Sequence, residues 1–214
     1  MKLIIAVAAI LMLYQENNPP VIAILSPKAN AVYDFTSPLR YSVQVSDKED
    51  GDTRYDEIPS AAILVEARVV DDTSKAASFR KDRMPLQAMI ASNCMNCHTF
   101  RNKLIGPSFA EISNKRTDLN QLVLHVKQGS TGIWGNAVMP SHPELTPDEI
   151  RDMVQWITKF GHEKNVEFYT GTEGSIKIAK PENMSPKASL LITASYADKG
   201  KAIGEKSVLV PVKR

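Results

Sequence analysis

The hydrophobic period of this chain changes twice, which no single layer of secondary structure can accommodate. Through about residue 70 apolar residues alternate with polar ones: Tyr41, Val43 and Val45 against Ser42 and Gln44, then Ile63, Val65, Ala67 and Val69 against Glu66 and Arg68. That two-residue period is the mark of a half-buried strand. From about residue 80 to 162 the period is helical, with Leu86, Met89 and Ile90 leading to Cys94, then Leu119, Leu122, Val123 and Val126. A third stripe, Ile150, Met153, Val154 and Ile157, follows Thr146-Pro147-Asp148-Glu149, in which Thr caps, Pro opens the helix and Glu stands three residues after the cap. Beyond residue 166 strands return as VEFYT, SIKIAK, SLLITASYA and SVLVPV.

Three predicted strands precede the helices (residues 21–25, 40–46 and 63–70) and four follow, and neither set alone makes a stable sandwich. Together they do. The expected fold class is therefore α+β multidomain: an antiparallel β-sandwich split in sequence, residues 17–78 and 164–214, with an all-α domain at 79–163 inserted between its halves. Deleting residues 166–214 should then unfold the first half and spare the helical domain.

Residues 1–14, MKLIIAVAAILMLY, place one Lys before an apolar run, as an export signal does, and 1–16 are read as a signal or anchor. The run is short for a bilayer span. LMLYQENN offers no small-x-small cleavage site, so any membrane contact is expected through residues 1–14 alone, left uncleaved. The expected location is periplasmic or otherwise outside the cytoplasm. A formal charge of +2 gives no basic field, which excludes nucleic acid as the expected partner.

The chain has two cysteines, Cys94 and Cys97, followed at once by His98. In C-x-x-C-H two thiols a helical turn apart can each add to a haem vinyl group, and the next residue brings an imidazole under the iron. Two rivals fit less well. A thioredoxin-like dithiol is expected beside a βαβ pattern, which is missing, and structural zinc takes four ligands, for which no further Cys or Cys/His pair stands at ligand spacing. A second iron ligand could come from Met139, in the Gly-rich, Pro-ended loop GIWGNAVMP, whereas Met89, Met95 and Met153 read as core or attachment-turn residues. His142, three residues further, competes with it; His125 and His162 read as surface residues.

With these residues in place, residues 84–160 resemble the small bacterial class I cytochromes c, in which segments like CMNCH, LIGPSF, KQGSTGIWGNAVMP and LTPDEIRDMVQWI occur in this order and spacing. The resemblance implies one covalent haem c, with His98 and Met139 as metal ligands. It implies further that the Pro107 carbonyl accepts a hydrogen bond from the His98 ring, and that Trp134 lies near the haem propionates while Trp156 is core. The flanking halves are similar to PKD-type immunoglobulin-like domains, through NNPPVIAILSPKANAVYDFTSPLRYSVQVSDKEDGD and SLLITASYADKGKAIGEKSVLVPVK.

Asp47, Glu49, Asp50 and Asp52 crowd one turn, and the choice there is between a calcium site and a solvated turn. The helical block carries ten Lys/Arg against seven Asp/Glu, so a docking face at the haem edge near Met95 and Pro140 is expected to be apolar. No nucleophile triad or phosphate loop argues for an enzyme. The expected function is one-electron carriage with a redox partner protein, an exported dehydrogenase such as a sugar dehydrogenase. The alternative is a haem enzyme or gas sensor with a labile Met139, and a weaker third is a carbohydrate-binding or adhesion module.

Overall fold

The computed structural model describes residues 17–28, 30–72, 74, 78–115, 118–160 and 163–213. The apolar segment read as signal or anchor, and His162, lie outside the described residues. Among the described residues no helix is long and apolar enough to cross a membrane.

Two antiparallel sheets face one another, and each draws strands from both sides of the helical block. In the first, β2 (Leu39–Asp47) pairs with β1 (Val21–Ser26), with the short β3 (Gly51–Asp52), and through its residues 39–42 with β6 (Glu173–Ile176). In the second, the order is β5 (Val166–Thr170), β4 (Leu64–Val70), β7 (Ser189–Ala197) and β8 (Ile203–Pro211). Thus β4, which precedes the helices, lies between two strands that follow them, with Glu66 opposite both Phe168 and Thr193. Tyr33, Val45, Val65, Ile176, Leu190 and Ile192 are among the buried residues that fill the space between the sheets.

The half-buried reading of β4 is corrected by the structure, because all seven of its residues are buried. Val65, Ala67 and Val69 point into the sandwich, as their alternation predicts. The other face is covered by the helical domain: Leu64 joins that domain's apolar core, and Glu66 and Arg68 sit in ion pairs there. An alternating pattern records which face is polar, not whether that face meets water or a second domain.

The helical block comprises α1 (Arg80–Ala91), α2 (Phe109–Lys115), α3 (Leu119–Gln128) and α4 (Pro147–Phe160). The capping box before α4 forms as its residues require: Glu149 Oε2 accepts from the Thr146 N–H at 2.8 Å, and Thr146 Oγ1 from the Glu149 N–H at 3.3 Å. Asp118 caps α3 by accepting from the N–H groups of Asn120 and Gln121. The stripe of α4 packs on α2, α3 and α1, and the core is completed from the sandwich by Leu64, Val166 and Phe168.

Candidate functional site

Helix α1 ends at Ala91, Asn93 beyond it has a φ of 61° in the left-handed region, and the chain turns through a single 3-10 turn at Cys94–Asn96. Backbone N–H groups of Cys97 and His98 both donate to the Cys94 carbonyl, at 3.2 and 3.0 Å. This turn sets the two thiols and the imidazole around one cleft. Burial pushes the Cys94 thiol up to about 11, so at neutral pH it is a protonated thiol rather than the thiolate that a redox-active dithiol needs.

The loop that follows folds back under the histidine. Ile105 and Gly106 N–H groups donate to the Cys97 carbonyl at 3.2 and 2.9 Å, which presents the Pro107 carbonyl to His98 Nδ1 at 2.7 Å. A carbonyl can only accept, so Nδ1 carries the proton and Nε2 keeps its lone pair. Burial lowers the His98 pKa and outweighs the opposing pull of the Pro107 carbonyl, so the neutral imidazole is favoured, while the bond to that carbonyl fixes its tautomer. Its ring is held between Phe109, stacked at 5.7 Å and 12°, and Gly106, where a Cβ would lie 2.6 Å from His98 Cε1.

The facing loop is pinned by an isolated bridge. Ser130 N–H donates to the Met139 carbonyl at 3.0 Å, and Met139 N–H to the Ser130 carbonyl at 2.9 Å. Gly129, with φ 79°, permits the close approach, since a Cβ there would lie 2.8 Å from the Met139 carbonyl oxygen. All six residues singled out in the sequence, Cys94, Cys97, His98, Pro107, Trp134 and Met139, line a single cavity of about 290 Å³. Trp134 is half-buried, with Lys115 Nζ 5.3 Å from its ring.

His142 lines the same cavity, its Nδ1 2.9 Å from Glu144 Oε1. His125 also lines it and is half-buried, which corrects its reading as a surface residue. It follows Leu122 by three residues and therefore shares that residue's helical face. Met89 and Met153 are buried and Trp156 is 9 % exposed, consistent with core. Sequence reasoning missed α2 and with it Phe109. Its signal was present in Ser108-Phe109-Ala110-Glu111, where Ser108 Oγ accepts from the Glu111 N–H at 3.1 Å.

Among the described residues no group of three His, Cys, Asp or Glu side chains is arranged to hold a metal ion. In the acidic turn Asp47 Oδ1 accepts from the N–H groups of Glu49 and Asp50, Asp50 Oδ2 from the Tyr196 hydroxyl, and Asp52 pairs with Arg54. These carboxylates organise the turn, and no calcium site is assigned to them.

The cleft does fit a haem c. It offers two thiols on one turn, an imidazole whose Nε2 lone pair is uncommitted, a thioether on a separately pinned loop, and apolar walls that include Leu122, Val126, Val154 and Ile157. The absent Cβ at Gly106 leaves the imidazole unhindered on that side.

Comparisons with known proteins place the helical domain in a family. Residues 82–157 match the family model described as cytochrome c oxidase, cbb3-type, subunit III. A cytochrome c-551 from Ectopseudomonas mendocina is 34% identical over 68 residues, covering 30% of this chain and 82% of that protein. One from Stutzerimonas stutzeri is 34% identical over 68 residues, and there the chain spans 64% of the relative's length. Among solved structures, the Nitrosomonas europaea cytochrome c552 aligns at 25% identity over 35% of this chain and 98% of that one, with a TM-score of 0.33. The family-model match falls on the helical domain, and the PKD-type resemblance of the strands rests on their sequence. Through that helical domain the chain belongs to the small class I cytochromes c, whose cofactor is one covalently bound haem c.

Proposed function

We propose that this chain is an exported one-electron carrier, with one haem c joined to Cys94 and Cys97, His98 as proximal ligand and Met139 as distal ligand. The observation that carries this reading is the convergence in one cleft of both thiols, a tautomer-locked imidazole and a thioether on a loop held at both its backbone polar groups. Bound there, haem supplies reversible Fe(III)/Fe(II) exchange, and methionine ligation favours the ferrous state. The chain's own residues do the rest. Pro107 orients the imidazole and raises its basicity, Phe109 and Gly106 fix the ring plane, and the apolar walls exclude water. With His98 and Met139 both holding the iron, no position would remain for a substrate, which favours carriage over catalysis.

The domain boundaries at residues 79 and 163 belong to the same reading, as does a PKD-type identity for the sandwich. The partner is proposed to be an exported dehydrogenase, a sugar dehydrogenase included, met at the rim of the cleft. That rim is apolar, with Ile105 and Val138 56% and 68% exposed. Residues 1–14 would direct export or remain as an anchor.

The test is a reduced-minus-oxidised visible spectrum of protein matured with a c-type haem attachment system, read together with the weak near-infrared band of methionine-to-iron ligation. Covalent haem with that band is expected, and Met139→Ala should lose the band and gain a carbon monoxide adduct. Covalent haem without the band moves the distal assignment to His142 or to an open position. No covalent haem overturns the reading.

A further inference from the structure

The loop that carries His98 is not supported by the helical domain alone. Two residues beyond the histidine, Phe100 is 6% exposed and enters an aromatic cluster in which one partner comes from the sandwich: Phe168 of β5, 4% exposed, at 5.4 Å. Phe100 also stands edge-on to Phe109, the ring stacked on His98, at 5.8 Å. Three residues beyond the histidine, Arg101 Nε donates to both carboxylate oxygens of Glu167 on β5, at 3.2 and 3.0 Å. Its second terminal nitrogen donates to the backbone carbonyls of Glu163 and Val166, each at 3.0 Å, and its guanidinium lies 4.1 Å from the Phe160 ring centroid. The connection is continued by backbone bonds, since the Phe109 and Ala110 N–H groups donate to the carbonyls of Thr99 and Phe100.

We propose that β5 of the sandwich is a buttress for the proximal side of the haem site, and that Glu167 and Phe168 are positioning residues that set the reduction potential through Arg101, Phe100 and Phe109. The inference rests on the preceding assignment of His98 as proximal ligand. Strand β5 cannot drift, because it is paired along its length with β4, which is itself held by β7 on its other edge. A planar guanidinium whose Nε–H is shared by both oxygens of one carboxylate, and whose terminal nitrogen meets two carbonyl acceptors, fixes a loop in direction as well as distance. The imidazole plane is thereby referred to a rigid sheet outside the haem domain. Removing the buttress loosens the loop and admits water on the proximal side. Water stabilises the more charged ferric state, so the potential falls.

The experiment uses the full holoprotein in four forms: wild type, Phe168→Ala, Phe168→Leu and Glu167→Gln. Glu167→Gln keeps side-chain size and one acceptor oxygen while removing the charge and the second acceptor opposite Arg101, so it serves should Phe168→Ala fail to fold. Each is poised at the wild-type midpoint potential and its ferrous-to-ferric ratio read from the visible spectrum, and the haem-methyl NMR shifts of the ferric form, which report imidazole orientation, are recorded alongside. The expected result is a ratio lowered by about threefold or more in each folded variant, with moved methyl resonances, while Phe168→Leu recovers part of the loss. A ratio that stays at the wild-type value or rises in the folded variants overturns the proposal, even where their melting temperatures drop, because β5 would then be only structural support. Failure of the underlying assignment is distinguishable, since it would appear in the wild-type protein as missing covalent haem or a high-spin spectrum.

Discussion

A single methyl group at residue 106 would collide with the imidazole that the site is built around. The Cβ of an alanine there would approach His98 Cε1 to 2.6 Å, and neither partner can yield, because the ring is backed by Phe109 and tethered to Pro107. Gly106→Ala should therefore destabilise the holoprotein by about 1–3 kcal/mol, measured by denaturant unfolding, and displace the haem-methyl resonances. A second residue-scale prediction concerns acid. Burial raises the pKa of Asp50, but the Tyr196 hydroxyl and the Lys199 backbone and ammonium groups outweigh it and hold the carboxyl below 3.8. A carboxylate depressed in the folded state contributes stability above its unfolded pKa and loses it as pH falls through the folded value. Asp50→Asn should accordingly be less stable than wild type at neutral pH, and the gap should narrow below about pH 4 in urea titrations. A constant gap would mean that the contacts of Asp50, not its charge, provide the stabilisation. Placements set by local covalent spacing were legible in the sequence, as with Cys94, Cys97 and His98, which line one cavity. The half-burial of His125 and the stacking of Phe109 depend on which helices neighbour which, and spacing does not encode that.

At the scale of elements, α4 is the one whose start was written most fully. Thr146, Pro147 and Glu149 each satisfy a different demand of a helix N-terminus, and all appear in the structure where the sequence puts them. Thr146→Ala removes the hydroxyl that accepts the Glu149 N–H, and should cost about 1 kcal/mol, readable as a lowered denaturation midpoint with unchanged slope. Strands β5 and β7 fall at residues 166–170 and 189–197, as their β-branched and aromatic runs predict. Helix α2 did not stand out, because seven residues give fewer than two full turns of periodicity and its cap signal lies directly behind Pro107. The Ser130–Met139 bridge was invisible for another reason: its partners are nine residues apart across an irregular loop, where no hydrophobic period exists to read.

At the scale of the whole molecule, the sandwich and the haem domain share a core, and the expectation that deleting residues 166–214 would spare the haem domain has to be revised. That deletion removes Val166 and Phe168 from the cluster that contains Phe100, Trp156 and Phe160, and takes away the Glu167 partner of Arg101. Polar groups lock the same interface. Glu66, 1% exposed, receives Arg68 Nε at 2.6 Å on one oxygen and a terminal nitrogen of Arg83, from α1, at 2.8 Å on the other. Arg83 reaches Glu205 on β8 at 2.9 Å, and Gln87 of α1 donates to Ser195 of β7 at 2.7 Å. A buried carboxylate between two guanidiniums adds little net stability over an apolar pair, but removing it leaves two buried cations each with only a more exposed partner, Glu163 for Arg68 and Glu205 for Arg83. Glu66→Ala should therefore cost about 3–5 kcal/mol, more than any truncation at the surface. The two domains should also melt as one. Soret absorbance reports the haem cleft, and tyrosine fluorescence reports the sandwich, where Tyr33, Tyr41 and Tyr196 are buried. In guanidinium the two probes are expected to trace a single coincident transition in the wild type. In Glu66→Ala they should separate, with the Soret change first, because the helical domain then loses the most buried of the charges that tie α1 to the sheet. Separate transitions already in the wild type would mean that the shared aromatic core couples the domains too weakly to make them one cooperative unit.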